Sequence, residues 1–317
     1  MAEIVGYFAT SHAYAFIEPE MWDRRRERSR SNYQRIYGTS PAIHAEVARE
    51  SAADNQARYR AIKRGHDHVR TRLAELKPDV VVLIGDDQDE NYTEENLPQF
   101  SIFAGDGFVA ADRATGKQLP FRSDPALARF VLNDMVEAGF DLSYSTAFAE
   151  QKLGAHAHTE PLIHLVGAND AAVLPVFVNA IHVPAPTPSR CFQFGRALRS
   201  AIDRYPADTR IVLGASGGLS HFTAGYPYRH YTGPLSFGAI SVAFDRRLIQ
   251  AIKQGEFQQL AALSNQDLLD NGDIEFRQWI AMLGALGGGT PEYLAYEPFF
   301  SGLTGMGVGY WGAAQSG

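Results

Sequence analysis

Cysteine is almost absent from this 317-residue chain, Cys191 being the only one. An internal disulfide framework is therefore excluded. The usage fits a reducing compartment, and the cytoplasm is the expected location. Cys191 sits in "PTPSRCFQFGRALR" at a helix start, where a buried small hydrophobe is expected rather than a nucleophile. Long apolar runs are also missing. None approaches the roughly 18 residues of a membrane span, so no membrane insertion is expected. The opening "MAEIVGYFATSHAYAF" lacks a basic n-region and carries Glu3 and His12, unlike a signal peptide. Basic excess is absent too. Lys and Arg number 29 against 36 Asp and Glu, a net charge of −7, and nothing points to nucleic acid. The one local basic run, Arg24, Arg25, Arg26, Arg28 and Arg30, is interleaved with Asp23 and Glu27 and reads as a solvated helix face. There is no Walker A, Gly-x-Gly-x-x-Gly, Cys-x-x-Cys or His-Glu-x-x-His motif.

What is present is an ordinary globular composition, 45% hydrophobic and 21% charged. "EIVGYFAT" (3–10) reads as a first strand. Residues 20–36 and 43–77 read as helices, with Lys77-Pro78-Asp79 breaking the second before a strand at 80–84. Residues 93–122 hold short aromatic strands and turns. Asp124 as cap and Pro125 at the first turn open a helix over 124–139. Strands at 172–181 and 209–218 alternate with helices over 189–205, 241–254 and 273–286, and a glycine-rich tail runs over 302–312. The alternation predicts an α/β fold, a central sheet flanked by helices on both faces, in a single domain spanning 1–317. The aromatic stretch "FTAGYPYRHYTGPLSF" (222–237) is a long loop of the kind that carries function.

Three polar points follow apolar strands: His12 after "IVGYFATS", Asp86, Asp87 and Gln88 after "VVVLIG", and His221 after "IVLGASGGLS". In α/β sheets ligands gather at such carboxyl ends. Glu275 sits early in the helix "IEFRQWIAMLGAL", where favour from the helix dipole and a role in a site are equally open readings. Among the ten histidines, His66 and His68 lie on a polar helix and are expected at the surface. His156, His158 and His164 crowd "AHAHTEPLIHL", whose His-x-His spacing suits a strand or extended loop. His182 closes the strand "VNAIHVPAP" and is a candidate lining residue.

Six stretches in order, "SHAY", "VVLIGDDQDEN", "AHAHTEPL", "VNAIHVPAPTPSRCFQFGRALRSAI", "GASGGLSHF" and "IEFRQWIAMLGAL", span nearly the whole chain. Together they resemble the catalytic subunits of class III extradiol ring-cleavage dioxygenases, the protocatechuate 4,5-dioxygenase β-subunit superfamily. The resemblance implies a non-haem Fe(II) enzyme that opens a catechol-type ring with O2. By position, His12 and Glu275 match two of the family's iron ligands, His221 its acid/base histidine and His156 a pocket histidine. The family ends its second strand with Asn-Asp-His. Here Asp86, Asp87 and Gln88 stand there, so that either Gln88 or Asp87 replaces the second iron histidine. A homodimer and, in some members, a small second subunit are the assemblies implied.

The residue types suit that chemistry. Two imidazoles and a carboxylate leave Fe(II) three open positions, and an imidazole with a pKa near ~6.5 can exchange a proton with a catechol. The competing expectation, prompted by Gln88, is a hydrolase, lyase or binding protein on the same fold that has lost dioxygen chemistry. For the substrate, Arg229 and His230 would serve a ring carboxylate, whereas Tyr226, Tyr228 and Tyr231 would stack on a larger aromatic.

Overall fold

A computed structural model describes every residue except 114, 149–152, 168–169, 224–235 and 314–317. The chain begins with β1 (Glu3–Thr10), α1 (Trp22–Tyr37), α2 (Ala52–Leu76) and β2 (Val80–Gly85). Short strands follow: β3 (Phe100–Phe103), β4 (Gly107–Ala111) and β5 (Gln118–Arg122), then α3 (Pro125–Glu137) and β6 (Ser143–Ser145). Next come α4 (His156–Pro161), β7 (Ala172–Val178), α5 (Pro188–Arg204) and β8 (Arg210–Ser216). The last third holds α6 (Val242–Gln254), α7 (Phe257–Ala261), α8 (Asn265–Asn271), α9 (Phe276–Leu286), β9 (Tyr293–Phe299) and β10 (Thr304–Gly312).

Eight strands form one sheet in the order β6-β3-β7-β2-β8-β1-β10-β9, and β4 pairs with β5 as a separate hairpin. The four central strands β7, β2, β8 and β1 are parallel, while β10 runs antiparallel to β1. Parallel strands need covered faces, and β2 shows how this is met. Val80, Val82 and Ile84 join a cluster with residues of α3, α5, α6 and α9, whereas Val81 and Leu83 join Tyr59, Ile62, Val69 and Leu73 of α2. Helices thus flank both faces, as the alternation predicts. Because the helical crossovers return the chain to the amino edge, β1, β2, β7 and β8 all end at the other edge, and their following residues share it.

Several local readings shift for physical reasons. Asp124 does cap α3, its Oδ1 accepting the Leu127 N–H at 3.0 Å. The 43–77 helix starts only at Ala52, where Ser51 Oγ takes the Asp54 N–H at 3.0 Å. Residues 156–161 are helical rather than extended and pass into a π-helical turn over Leu162–Val166. His66 is buried rather than exposed, bonded to Thr10 Oγ1 at 3.2 Å and stacked on Phe16. The glycine-rich tail is strand β10, and β9 beside it tolerates Pro298 because it is the sheet's edge. Cys191 is buried in α5, and burial pushes its thiol up to about 12.

Helices α5 and α9 meet backbone to backbone. A Cβ on Gly195 would fall 1.8 Å from the Ala281 carbonyl oxygen, and one on Gly284 would fall 2.2 Å from that of Phe192. Gly195→Ala should therefore lower stability by about 1–3 kcal/mol or more through overpacking. Gly288→Ala, with open space around the new methyl, should stay within about 0.5 kcal/mol. Urea unfolding of both variants checks this; equal midpoints would show that the two helices separate without cost.

Candidate active site

The site begins where β1 ends. Ser11 locks onto the last strand: its N–H donates to the Gly307 carbonyl at 2.8 Å and its Oγ accepts the Gly307 N–H at 2.9 Å. This fixes His12, the next residue. His12 Nδ1 pairs with Oγ of Ser216, the final residue of β8, at 3.3 Å, leaving Nε2 3.6 Å from Glu275 Oε2. Burial drives the His12 pKa down to about 3 against the pull of Glu275, so the imidazole is neutral and offers a lone pair.

Glu275 stands at the entry to α9 but does not cap it. Its carboxylate is instead turned into the site. Oε2 accepts the Gly218 N–H at 3.2 Å, Oε1 accepts the Gln88 side-chain amide at 2.7 Å, and His221 Nε2 lies 3.5 Å from Oε1. Burial alone would raise its pKa, but His12, His221 and the Gly218 amide hold it below the ordinary carboxylate range. A buried, ionised carboxylate thus lies between two imidazoles.

The end of β2 divides its three polar residues among three jobs. Asp87 spends its carboxylate on the turn that follows, accepting the backbone N–H groups of Glu90, Asn91 and Tyr92 at 2.8–3.1 Å and the Asn91 side chain at 3.1 Å. Gln88, half-buried, reaches Glu275. Asp86 is fully buried, and among the other described residues none donates a hydrogen bond to either of its carboxylate oxygens. One Asp86 oxygen, one Glu275 oxygen and one His12 nitrogen lie within 4.8 Å of one another. Burial, then the charges of Glu275, Asp87 and Glu90, push the Asp86 pKa well above its usual value. The Cα of Gly85 just before it carries no side chain because the His158 ring occupies that space, 2.9 Å from where a Cβ would stand.

His221 is held from behind. Its backbone N–H donates to the Gly272 carbonyl at 3.1 Å, and its Nδ1 pairs with the Leu219 carbonyl at 2.8 Å. The carbonyl can only accept, so Nδ1 carries the proton and Nε2 is the acceptor of the neutral ring. Burial alone would lower its pKa, but Glu275 and the Leu219 carbonyl reverse this and raise it. Ser220 beside it is clamped by the buried Asp245, whose oxygens take the Ser220 N–H at 3.2 Å and hydroxyl at 2.8 Å, and also the Tyr296 hydroxyl.

His156 completes the wall. Glu90 accepts its backbone N–H at 3.0 Å and pairs with its Nδ1 at 2.9 Å, and the ring meets His12 edge-on with centroids 4.9 Å apart. Against the effect of burial, His156 draws the Glu90 pKa down to about 2. Beside them opens a pocket of about 570 Å³ lined by Glu90, Asn91, Arg113, His156 and Thr159 among others. A larger groove of about 770 Å³ lies by the amino ends of β2 and β7, around Lys77, Asp79 and Arg122, without a histidine in its wall.

Of the residues singled out in the sequence, His12, Gln88, Glu275, His221 and His156 come together. His182 turns to Asp89, 2.7 Å from Nε2, and Asp87 to the turn amides. Arg229, His230, Tyr226, Tyr228 and Tyr231 lie outside the described residues. Asp86 was visible only as one member of a polar strand end. Glu90 and Asp245 gave no local signal at all, since their partners are 66 and 25 residues away.

This constellation has counterparts. Residues 40–310 match the family model described as the catalytic LigB subunit of aromatic ring-opening dioxygenase. Two proteins named 2,3-dihydroxyphenylpropionate/2,3-dihydroxicinnamic acid 1,2-dioxygenase are similar along most of the chain. The one from Rhodococcus sp is 25% identical over 266 residues, 71% of this chain and 82% of its own. The one from Klebsiella pneumoniae is 24% identical over 282 residues, 75% and 87%. With its family match reaching from residue 40 into β10, over the ends of β2 and β8 and the start of α9, the chain belongs to the LigB family of aromatic ring-opening dioxygenases and is a ring-cleaving dioxygenase.

Proposed function

We propose that this enzyme is a non-haem Fe(II)-dependent extradiol dioxygenase that opens a catechol-type ring with dioxygen. The observation that supports it most is Glu275 standing between His12 and His221, 3.6 and 3.5 Å away, on segments far apart in the chain. The donor set fits a divalent cation: a neutral imidazole, an ionised carboxylate, and a buried carboxylate at Asp86 that no other described residue's donor satisfies. His12 and Glu275 would hold the ion, with a third donor from the end of β2. Bound Fe(II) supplies Lewis acidity toward the catechol oxygens and a meeting place for ring and dioxygen.

The protein's own groups do the rest. His221, with Nδ1 tied to Leu219, accepts the proton of a catechol hydroxyl at Nε2 and holds it for return as the ring opens. His156, its Nδ1 tied to Glu90, leaves Nε2 to orient a substrate oxygen. The similar proteins named above act, by their names, on catechols bearing a carboxylate side chain. In the 570 Å³ pocket the exposed Arg113 has the charge such a carboxylate needs. A carboxylated catechol such as 2,3-dihydroxyphenylpropionate is therefore the first substrate to offer.

His12→Ala and Glu275→Ala should each lose both iron and turnover; metal analysis after anaerobic purification decides, and full occupancy in either would remove that residue from the ion. His221→Phe should keep its iron while oxygen uptake with a good catechol falls by about 10²- to 10⁴-fold. Unchanged uptake there would take proton transfer away from His221.

A further inference from the structure

We propose that Asp86 is the third side chain holding the metal, so that the ion is bound by one imidazole and two carboxylates: His12, Asp86 and Glu275. The proposal rests on the metal-dependent reading above and says which residues of this chain make the site.

Three observations carry it. The candidate ligand atoms of these three residues lie within 4.8 Å of one another, close enough for small side-chain rotations to bring them onto one ion. Asp86 is fully buried, and neither oxygen meets a donor from another described residue. A buried carboxylate is ordinarily satisfied by hydrogen bonds or a counter-charge, and among the other described residues none supplies a hydrogen bond to the Asp86 carboxylate, which suits it to a divalent ion. Finally, its neighbours are committed elsewhere. Asp87 is saturated by three backbone amides and the Asn91 side chain. Gln88 donates its amide to Glu275 Oε1, the bond of a group that orients a ligand.

The donor set has a consequence for the ion. Replacing an imidazole by a carboxylate makes the site harder and more anionic, and such oxygen-rich sites suit Mn(II) as well as Fe(II). Mn(II) should therefore bind with an affinity within about tenfold of that for Fe(II), a modest preference on the usual divalent order.

Anaerobic calorimetric titration of metal-free protein with Fe(II) and with Mn(II) tests this. Asp86→Asn should weaken both ions by about 100-fold or more, beyond the roughly 10–100-fold of an outer-sphere change. Asp86→Ser, a second neutral replacement, should do the same, and thermal unfolding of the metal-free variants confirms that they fold. Gln88→Ala should cost about 10-fold, the low end of that outer-sphere range, and Asp87→Asn should leave affinity unchanged. Folded Asp86 variants that bind as tightly as wild type, or a Gln88→Ala that loses as much as Asp86→Asn, would overturn the assignment. The readouts separate the two proposals. Ion binding that depends on Asp86, without oxygen uptake on any catechol, upholds the ligand and sinks the dioxygenase reading. Oxygen uptake on a catechol with Asp86→Asn at full affinity does the reverse.

Discussion

The rest of the site depends on one buried charge, the carboxylate of Glu275. An ionised carboxylate removed from water is strongly unfavourable unless its oxygens are met by donors or positive charge. Here Oε1 is met from the end of β2 by Gln88 and from the β8 loop by His221, and Oε2 by the Gly218 amide and His12. Those partners come from three strand ends and from nowhere nearer in sequence. Satisfying Glu275 therefore requires β1, β2 and β8 to be parallel, adjacent and in register, so the electrostatics of one side chain and the topology of the sheet impose the same arrangement.

Around that hub the protein arranges its charges in layers. Glu90, half-buried behind His156, and Asp245, buried behind Ser220, are acids that act on the site through the groups they hold. They fix ring orientation and loop position, which loops alone hold poorly. On the proposed assignment, Asp86 and Glu275 together cancel the double charge of the ion. The metal would then draw less electron density from a bound catechol than a site with a single carboxylate, and more of the deprotonation would fall to His221. The raised basicity of His221 is in keeping with that division of work.

How much of this was legible in the sequence differs by residue. β2 and β8 announce themselves as short Val/Ile/Leu runs ending in glycine or polar residues, since strands buried on both faces carry no alternation. His12 and His221 follow from the same logic. Glu275 was legible only beside a family pattern, because a carboxylate at a helix entry has an ordinary explanation. In the helical 156–161 segment, alternate histidines imitate a strand. The first amide of the helix is met by a group the local sequence does not contain, the Glu90 carboxylate. His66 looked solvent-facing because the groups that cover it, Thr10 and Phe16, belong to β1 and the turn after it. Within Asp86-Asp87-Gln88 the sequence contains three polar side chains and no indication of which bonds a turn, which bonds Glu275 and which is left alone. That division is decided by tertiary backbone amides.

The pinning of Ser11 to Gly307 also governs when the site comes into being. β1 is made first, yet in the sheet it lies between β8 and β10, and the two ends of its anchoring contact are 296 residues apart. Until β8 has been made, β1 has neither neighbour, and its apolar Val5, Tyr7, Phe8 and Ala9 have no sheet to join. Contacts of such long range close late, after their loop entropy has been met by everything between them. His12 thus takes its place only once β10 has been made, and the charged centre is assembled as the closing act of folding rather than as a nucleus for it.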